Sequence, residues 1–374
     1  MTSDTALYPA ERLARVAQAV AAAGLDVLLL TPGPDLRYVT GYDAKQLERL
    51  TCLAVPASAD PFLLVPALEL KAAQASPAGA LDLEILSWGE TADPFAMIAG
   101  VLGDPRSAAL SDRMWALHVL QFAGAFPAAQ LHLASTVLSP LRMRKSPAEI
   151  AALLEAGEAI DRVHASVPGW LRPGVTERAV AARIAEAILA EGHAQVDFTI
   201  VASGPNGSSP HHDVSDRVIE AGDVVVVDIG GTMPSGYCSD CTRTYAVGHA
   251  PDEFVAYYEV LKRAQEAAVL GVRPGVTAES IDRTAREIIA EAGYGEWFIH
   301  RTGHGIGLES HEDPYIVEGN ELVLDEGMAF SVEPGIYPGP HGARIEDIVV
   351  CADPAAAGAG MLRMNNLSRD LLIV

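Results

Sequence analysis

The sequence has 374 residues, of which 49% are hydrophobic, so it is long enough for about two domains with substantial cores. Its formal net charge of −23 argues against a nucleic-acid backbone or an anionic membrane as the main partner. The N-terminus lacks the apolar segment of a signal peptide, and no apolar run is long enough to span a bilayer, which predicts a cytoplasmic protein.

The first part of the chain, roughly 135 residues, alternates between strand-like and helix-like segments, which is typical of an α/β domain. We predict helices at 11–24, 95–102 and 114–122, and strands at 25–31, 50–56 and 61–66. A long helix is predicted to begin at Pro147, because Ser146 can cap it and proline is favoured at the first helical position. We therefore divide the chain into two domains, 1–138 and 139–374.

The second domain contains an internal repeat. The segment LRPGVTE at 171–177 returns as VRPGVTAE at 272–279. Each copy is followed by a helix-like segment and then by a glycine-bearing extended segment that contains histidines. These are His211 and His212 after the first copy, and His304 and His311 after the second. The matching order of elements predicts a duplicated domain with two similar halves.

Four carboxylates fall on two predicted β-hairpins, one in each half. With the first hairpin centred on Pro234, Asp228 lies directly opposite Asp240. Residues opposed in this way have Cβ atoms about 5 Å apart. With the second hairpin centred within its Pro-Gly-Pro turn, Glu333 lies opposite Glu346. Each half is therefore predicted to place two like charges side by side.

Like charges this close need a compensating cation. Two divalent metal ions, typically ~3.5–4 Å apart, supply that charge. Carboxylate oxygens with one imidazole suit Mn²⁺, Co²⁺ or Zn²⁺, and His304 on its glycine-rich segment is the predicted nitrogen ligand. The alternative is that the carboxylates are solvated strand residues paired with Arg243 and Arg344. Against it, Asp228 follows four valines that are typical of a buried strand.

The cysteines give a weaker signal. Four are too few for a disulfide scaffold, and only Cys238 and Cys241 form a C-x-x-C pair. The surrounding pattern indicates a strand, in which residues three apart point to opposite faces. We therefore predict no redox or zinc site there.

Five segments in order resemble the metal-ligand motifs of the pita-bread metallopeptidases, in the branch of prolidase and Xaa-Pro aminopeptidase. They are VVVDIGG, YCSDCTRT, GHGIGLESHE, SVEPGIY and RIEDIVV. The resemblance covers the whole chain and implies a creatinase-type α/β N-terminal domain, followed by a duplicated α+β catalytic domain with pseudo-twofold symmetry. It implies a homodimer and a dinuclear centre, most simply of Mn²⁺, held by Asp228, Asp240, His304, Glu333 and Glu346. Asp240 and Glu346 would bridge the two ions.

The resemblance also implies metal-assisted hydrolysis of the bond before a proline in a short peptide. Glu333 would accept a proton from the attacking water and deliver it to the leaving nitrogen. His211, in ASGPNGSSPHHD, and His311 would bind the substrate carbonyl, whereas the neighbouring His212 fits less well. Arg344 would orient a carboxylate ligand, and Tyr237 has either a similar outer role or an ordinary packing role.

One position departs from the family pattern. Many prolidases carry HExPR, whose arginine would bind the free carboxylate of a dipeptide, but this chain has HEDPY with Tyr315. Either the chain acts on longer peptides, or another residue binds the carboxylate. The polar loop GPDLRYVTGYDAKQLERL, a possible lid from a partner subunit, offers Asp35 for the substrate ammonium. For the carboxylate it offers Arg37, Lys45 or Arg49.

The resulting prediction is an Xaa-Pro dipeptidase. An Xaa-Pro aminopeptidase that acts on tripeptides and longer substrates is the alternative. A catalytically inactive pita-bread protein that binds peptides is a third class, and the presence of all five ligand positions argues against it.

Overall fold

The structure, a computed structural model, describes residues 7–374 apart from the side chains of residues 356 and 357. It divides into two compact units, Met1–Arg142 and Met143–Val374. This division falls four residues after the predicted boundary at 138. The described part of the chain contains no helix that is both long and apolar enough to cross a membrane.

The first unit is built on one mixed six-stranded sheet. Its strands are β1 Val27–Leu30, β2 Cys52–Pro56, β3 Phe62–Pro66, β4 Glu84–Trp88, β5 Ser107–Leu110 and β6 Gln130–Leu133. Its helices are α1 Ala10–Ala22, α2 Pro34–Thr40, α3 Leu70–Ala75, α4 Pro94–Leu102, α5 Ala116–Ala125 and α6 Ser135–Met143, with a 3-10 turn at Pro77–Ala80. The strand order is β4-β3-β2-β1-β5-β6, and β1 is antiparallel to β2 but parallel to β5.

The predicted strands and helices of this unit are confirmed, but three strands, β4, β5 and β6, and three helices, α2, α3 and α6, were not predicted from the sequence. Strands β4, β5 and β6 are short, and every residue of β6 is exposed at the sheet edge, so no apolar pattern marks it. Helix α2 lies inside the predicted polar loop. It begins with a proline and ends at Gly41, whose φ of +72° favours glycine, and it buries Leu36 and Val39.

The second unit has five α-helices within its described residues. They are α7 Pro147–Ser166, α8 Glu177–Ala190, α9 Asp252–Gly271, α10 Ala278–Glu291 and α11 Pro354–Ala357, with 3-10 turns at Val167–Gly169, Gly204–Ser208 and Gly295–Trp297. Helix α7 begins where predicted. The Ser146 side chain accepts a hydrogen bond from the Glu149 amide, and the Glu149 carboxylate accepts one from the Ser146 amide at 2.9 Å. Such a cap is worth about 1 kcal/mol.

The strands of this unit form a four-stranded sheet, a five-stranded sheet and a two-stranded ribbon. The strands are β7 Gln195–Ser203, β8 Val224–Thr232, β9 Cys238–Ala246, β10 Gly303–Gly305, β11 Glu312–Ile316, β12 Ala329–Val332, β13 Gly335–Ile336, β14 Ala343–Arg344, β15 Asp347–Cys351, β16 Met361–Arg363 and β17 Leu372–Ile373. The orders are β17-β9-β8-β7, β11-β10-β12-β15-β16 and β13-β14.

The two halves of this unit repeat the same local structure, which confirms the predicted duplication. Thr176 caps α8 and Thr277 caps α10, each accepting a hydrogen bond of 3.2 Å from an amide three residues later. Gly174 and Gly275 precede these caps with φ of +90° and +91°. Only glycine adopts such a φ without strain, so the repeated RPGVT segment encodes one turn twice.

Side-chain alternation on β8 determines which face carries chemistry. Val225, Val227 and Ile229 belong to the hydrophobic core that α7 and α8 form against the sheet. Because successive side chains of a strand point to opposite faces, Asp228 points away from this core. The sheet therefore presents its other face, with Asp228, to the second half of the unit.

Candidate metal centre

Asp228 and Asp240 are not directly opposed, so the predicted register of the first hairpin is wrong. Asp228 pairs with Thr242, which centres the hairpin one residue later than Pro234. The reason is that Tyr237 belongs to the connecting loop and not to the strand. The pairing is displaced by two residues, which preserves the face, so the two carboxylates are diagonal neighbours on one side of the sheet.

The second hairpin keeps the predicted register. Glu333 and Glu346 lie between two ladders, and the pairs on either side of them are Val332 with Asp347, and Gly335 with Arg344. The backbone amides of both glutamates form hydrogen bonds with backbone carbonyls outside this hairpin. Glu333 donates to Thr302 at 2.7 Å, and Glu346 donates to Thr242 of the first hairpin at 3.1 Å. The two carboxylates therefore sit where the two hairpins meet.

The five predicted ligands form one cluster. Three groups each place one candidate ligand atom per residue within 4.8 Å of the others: Asp228, Asp240 and Glu346; His304, Glu333 and Glu346; and Asp240, His304 and His311. Asp240, Glu346 and His304 each belong to two groups, and Asp240 and Glu346 are the two carboxylates among them. A carboxylate shared in this way can face two cations at once.

His304 is oriented as a metal ligand would be. Its Nδ1 lies 3.1 Å from the carbonyl of Gly305, which assigns the ring proton to Nδ1. The lone pair of Nε2 then faces the carboxylates, 3.2 Å from Glu333 and 3.7 Å from Asp240. A backbone carbonyl that fixes the tautomer is a common partner of ligating histidines. The ring of His311 packs beside it, with 3.9 Å between centroids.

The buried carboxylates lack partners that a cation would supply. Oδ1 of Asp228 and Oδ1 of Asp240 are buried and have no hydrogen-bond donor among the described residues. Burial, followed by the charges of Glu346 and Asp228, raises the pKa of Asp240 well above its ordinary value. Burial and the charges of Glu333 and Asp228 raise the pKa of Glu346 in the same way. Buried carboxylates that lie close together and lack hydrogen-bond donors favour the binding of divalent cations.

Arg344 connects the cluster to its surroundings. It donates to Asp228 at 2.5 Å and to the hydroxyl of Tyr337 at 2.9 Å, and its Nε contacts Thr242 at 3.3 Å. The Thr242 hydroxyl in turn donates to Glu346 at 2.7 Å. The structure thus brings the predicted orienting arginine to a carboxylate of the cluster.

Three contributors were missed from the sequence. Tyr337 bonds both Arg344 and His300, the latter at 3.0 Å, and Thr242 bonds Glu346. Spacing offered a signal, since Tyr337 lies four residues after Glu333 in an extended segment, and even spacing in a strand shares a face. Glu312 was also missed. It forms a buried ion pair with Lys145 directly beside His311.

The cluster opens into a cavity of about 800 Å³, and all the residues that line it belong to the second unit. The lining combines apolar, histidine and arginine side chains with the cluster itself. Its members outside the cluster include Phe198, Ile200, His211, Val214, Arg301 and His311. His211 and His311, the two histidines predicted to bind the substrate carbonyl, both line this cavity. Burial, followed by the charge of His304, lowers the pKa of His311 to about 4.

His212 has a different role from His211. Its Nε2 lies 2.9 Å from the fully buried carboxylate of Glu177. The same carboxylate accepts hydrogen bonds from Ser203, Asn206 and Ser215. Burial alone would raise the pKa of Glu177, but these hydrogen bonds outweigh it and lower the pKa to about 2. Glu177 therefore anchors the segment that carries His211.

The other predicted residues lie outside this lining. The hydroxyl of Tyr237 donates to Glu149 at 2.7 Å, at the start of α7. Tyr315 stacks under Arg301, whose guanidinium carbon is 4.4 Å from the ring centroid. In the first unit, Asp35 pairs with Arg142 at 2.7 Å. Arg37 pairs with Asp43, and Arg49 pairs with Glu48, both at 3.2 Å. Lys45 is exposed.

All four cysteines are free thiols and buried. Cys238 and Cys241 lie on β9. Burial raises the pKa of Cys238 to about 12 and that of Cys241 well above its ordinary value, which favours the unreactive thiol.

This fold and this cluster define a metallopeptidase. The chain belongs to metallopeptidase family M24, whose model matches residues 151–353. The model of the creatinase/prolidase N-terminal domain matches residues 12–144. The probable dipeptidase PepE of Mycobacterium tuberculosis is 52% identical over 373 residues, covering 99% of this chain and 98% of that protein. The Xaa-Pro dipeptidase of Lactobacillus delbrueckii subsp. lactis is 39% identical over 336 residues, covering 87% and 89%. The crystal structure of dipeptidase PepE from Mycobacterium ulcerans has a TM-score of 0.93 and 53% identity, covering 100% of both chains.

The family assignment confirms the predicted creatinase-type N-terminal domain, the pita-bread catalytic domain and the enzyme class. Members of this family use divalent metals, and the cluster described above offers suitable ligands.

Proposed function

We propose that this metallopeptidase is an Xaa-Pro dipeptidase that uses two divalent ions, with Mn²⁺ as the proposed metal. The observation that carries the proposal is a five-residue ligand cluster that lines a cavity together with apolar, histidine and arginine side chains. The relatives named as dipeptidases support it over nearly the full length of the chain.

The proposed ligands are the members of the cluster: Asp228, Asp240, His304, Glu333 and Glu346. Asp240 and Glu346 are the proposed bridges, because they are the two carboxylates that each belong to two of the close groups. When bound, two divalent ions acidify a water and polarise the scissile carbonyl. Arg344 and Thr242 hold the carboxylates of Asp228 and Glu346 in place.

Glu333 is the proposed proton carrier. Its carboxylate takes one proton from the attacking water and delivers it to the proline nitrogen as the carbon–nitrogen bond breaks. The proline nitrogen carries no hydrogen in the peptide, so this proton makes it a secondary amine. His211 and His311 lie on the cavity wall, and a neutral imidazole retains one N–H. The proposed role of that N–H is to stabilise the oxyanion that forms on the scissile carbonyl.

The apolar part of the wall suits a proline ring. Phe198, Ile200 and Val214 line the cavity beside the cluster. A proline side chain has no hydrogen-bonding group, so it gains from burial against such a surface. Asp35 and Arg49 keep ion-pair partners within the first unit and take no part in this proposal.

A substrate panel tests the proposal. Hydrolysis of Ala-Pro, Ala-Pro-Ala and Met-Ala-Ala is measured with Mn²⁺ and again with a chelator. Cleavage of Ala-Pro that the chelator abolishes supports the dipeptidase. Much faster cleavage of Ala-Pro-Ala would indicate the aminopeptidase instead. If protein loaded with Mn²⁺, Co²⁺ or Zn²⁺ cuts none of the peptides, the binding-protein alternative is correct.

Metal content gives an independent measurement. Elemental analysis of protein dialysed against Mn²⁺ should give two equivalents per chain, and Asp240→Asn should lose metal because a proposed bridge loses its charge. The homodimer and the cytoplasmic location are further proposals. Light scattering in solution and fractionation of cells test them separately.

A further inference from the structure

Two arginines line the cavity, and only one of them is neutralised. Arg344 is paired with Asp228 at 2.5 Å. Arg301 is half-buried, and within residues 7–374 no carboxylate lies within salt-bridge distance of its guanidinium. A cation on the wall of an anion-rich cavity without a carboxylate partner is available to a ligand.

The ring of Tyr315 fixes one face of this cation. The guanidinium carbon of Arg301 is 4.4 Å from the Tyr315 centroid, within the range of a cation–π contact. Tyr315 lies on β11, and the carbonyl of Tyr315 accepts a hydrogen bond of 2.6 Å from Asn320. A ring on one side of the guanidinium leaves N–H groups available, and their planar fork matches a carboxylate with two parallel hydrogen bonds.

The position of Arg301 along the chain is compatible with the length of a dipeptide. Arg301 precedes His304 by three residues, so their Cα atoms are at most about 11 Å apart. The terminal carboxylate of a dipeptide lies one residue beyond the scissile bond, roughly 4 Å away. A side chain as long as arginine can span the remaining distance. In a tripeptide the carboxylate lies one residue, roughly 4 Å, further from the scissile bond.

We propose that Arg301 binds the free carboxylate of a dipeptide substrate and that Tyr315 holds its guanidinium in position. The proposal rests on the proposed dipeptidase function and names the residue that makes the site select dipeptides. In the sequence HEDPY, Tyr315 therefore supports the guanidinium of Arg301 from the position where many prolidases have an arginine. A substrate without the carboxylate leaves the guanidinium unpaired and gains nothing from it.

The test compares Ala-Pro with Ala-Pro amide, which differ in the carboxylate alone. We expect wild-type protein to prefer Ala-Pro in kcat/KM, and Arg301→Met to reduce that preference about 100-fold, as expected for loss of one charged partner. Arg301→Lys should retain part of it, because the charge remains without the planar fork. Arg283→Met is the matched control, since Arg283 lies on the exposed face of α10 with Glu279 and should keep the preference unchanged.

Tyr315 has its own pair of variants. Tyr315→Ala should raise KM for Ala-Pro about 5- to 30-fold, the range of a cation–π contact, with little change in kcat. Tyr315→Phe keeps the ring and should restore the wild-type KM. Equal effects of the two variants would overturn the role of the ring.

The results separate the two proposals. The carboxylate-site proposal is wrong if Arg301→Met lowers kcat/KM equally for both substrates, or if the wild type does not prefer Ala-Pro. Neither result contradicts the dipeptidase proposal. If the metal-loaded wild type hydrolyses neither substrate, the dipeptidase fails. In that case calorimetry measures the affinities of wild type and Arg301→Met for Ala-Pro and for its amide. The carboxylate-site proposal stands only if the variant loses the preference for Ala-Pro.

Discussion

Glu177 is the first residue of α8, and its carboxylate organises the segment that carries His211 without touching the substrate cavity. The side chain is 0% exposed. Its two oxygens accept hydrogen bonds from the amide and hydroxyl of Ser203 at 2.8 and 2.7 Å, Asn206 at 2.9 Å, and the amide and hydroxyl of Ser215 at 3.2 and 2.6 Å, and contact His212 at 2.9 Å. Replacing it by glutamine keeps the size but turns one acceptor into an NH₂ group that faces donors.

The pKa of this carboxyl sets the magnitude. It falls from an ordinary 4.5 to about 2, and each pKa unit corresponds to about 1.36 kcal/mol, so the ionised carboxylate contributes roughly 3 kcal/mol. Because the folded-state pKa is the lower one, this stabilisation is fully present above about pH 4.5. It is lost as the pH falls through about 2.

We therefore predict that Glu177→Gln lowers the melting temperature of the catalytic unit at pH 7. Domains of 150–250 residues lose about 2–4 °C per kcal/mol, which gives a decrease of about 6–12 °C. The measurement is thermal unfolding by circular dichroism on chelated protein, repeated at pH 3, where the gap to wild type should narrow. With Mn²⁺, kcat/KM for Ala-Pro should also fall, because His211 loses its fixed position.

The repeat supplies a matched control. Glu279 lies in the first turn of α10, the counterpart of α8, but it is only partly buried and pairs with the exposed Arg283 at 3.3 Å. Glu279→Gln should therefore change stability by less than about 0.5 kcal/mol. Two results would refute the reasoning: a melting temperature of Glu177→Gln within about a degree of wild type, or an equal loss in Glu279→Gln.

Three further predictions concern the centre and the thiols. Glu333→Gln should lower kcat about 10²- to 10⁴-fold with an unchanged circular dichroism spectrum, and near-normal hydrolysis would contradict its role as proton carrier. Thr242→Val removes the hydroxyl that donates to Glu346, so calorimetry should show Mn²⁺ affinity about 10- to 100-fold weaker, and unchanged affinity would disprove this support. The four buried cysteines should react with a disulfide reagent only in denaturant, and a rapid reaction of the native protein would contradict their burial.

The features predictable from the sequence are those that local patterns encode. The cap at Ser146 and the repeated glycine turns follow from short-range rules, and both are present. The Pro-Gly-Pro turn fixed the second register correctly. The first register was wrong by one residue at its centre, because a turn signal does not tell how many residues the loop contains. The face was still correct, because the error displaced the pairing by an even number of residues.

Contacts between distant segments could not be predicted. Arg344 and Asp228 are 116 residues apart, and Glu177 and Ser215 are 38 apart. The stacking of Arg301 on Tyr315 also depends on which strands become neighbours. No periodicity reports on such partners, since they follow from the packing of the two halves. The sequence has Tyr315 where many prolidases have an arginine, so sequence reasoning looked for a replacement cation in the polar loop of the first unit. The structure shows another candidate, Arg301, on the cavity wall.

The duplication makes the centre a property of the two halves together. The first half contributes one carboxylate pair on β8 and β9, and the second contributes another on the extended segments beside β12 and β15. The contacts that fix these carboxylates cross between the halves: Thr242 to Glu346 at 2.7 Å, and Arg344 to Asp228 at 2.5 Å. Each half therefore orients the ligands that the other half provides.

Metal binding and the docking of the halves must then be thermodynamically linked. A cation held by ligands from both halves binds only when they are packed together, so it stabilises that packing by mass action. At a free metal concentration 100 times Kd, this amounts to about 2.7 kcal/mol for one site. The unpartnered oxygens of Asp228 and Asp240 oppose the packing when no cation is present, because buried anions repel one another. The same crowding therefore predicts that a cation bound at this cluster stabilises the folded catalytic unit.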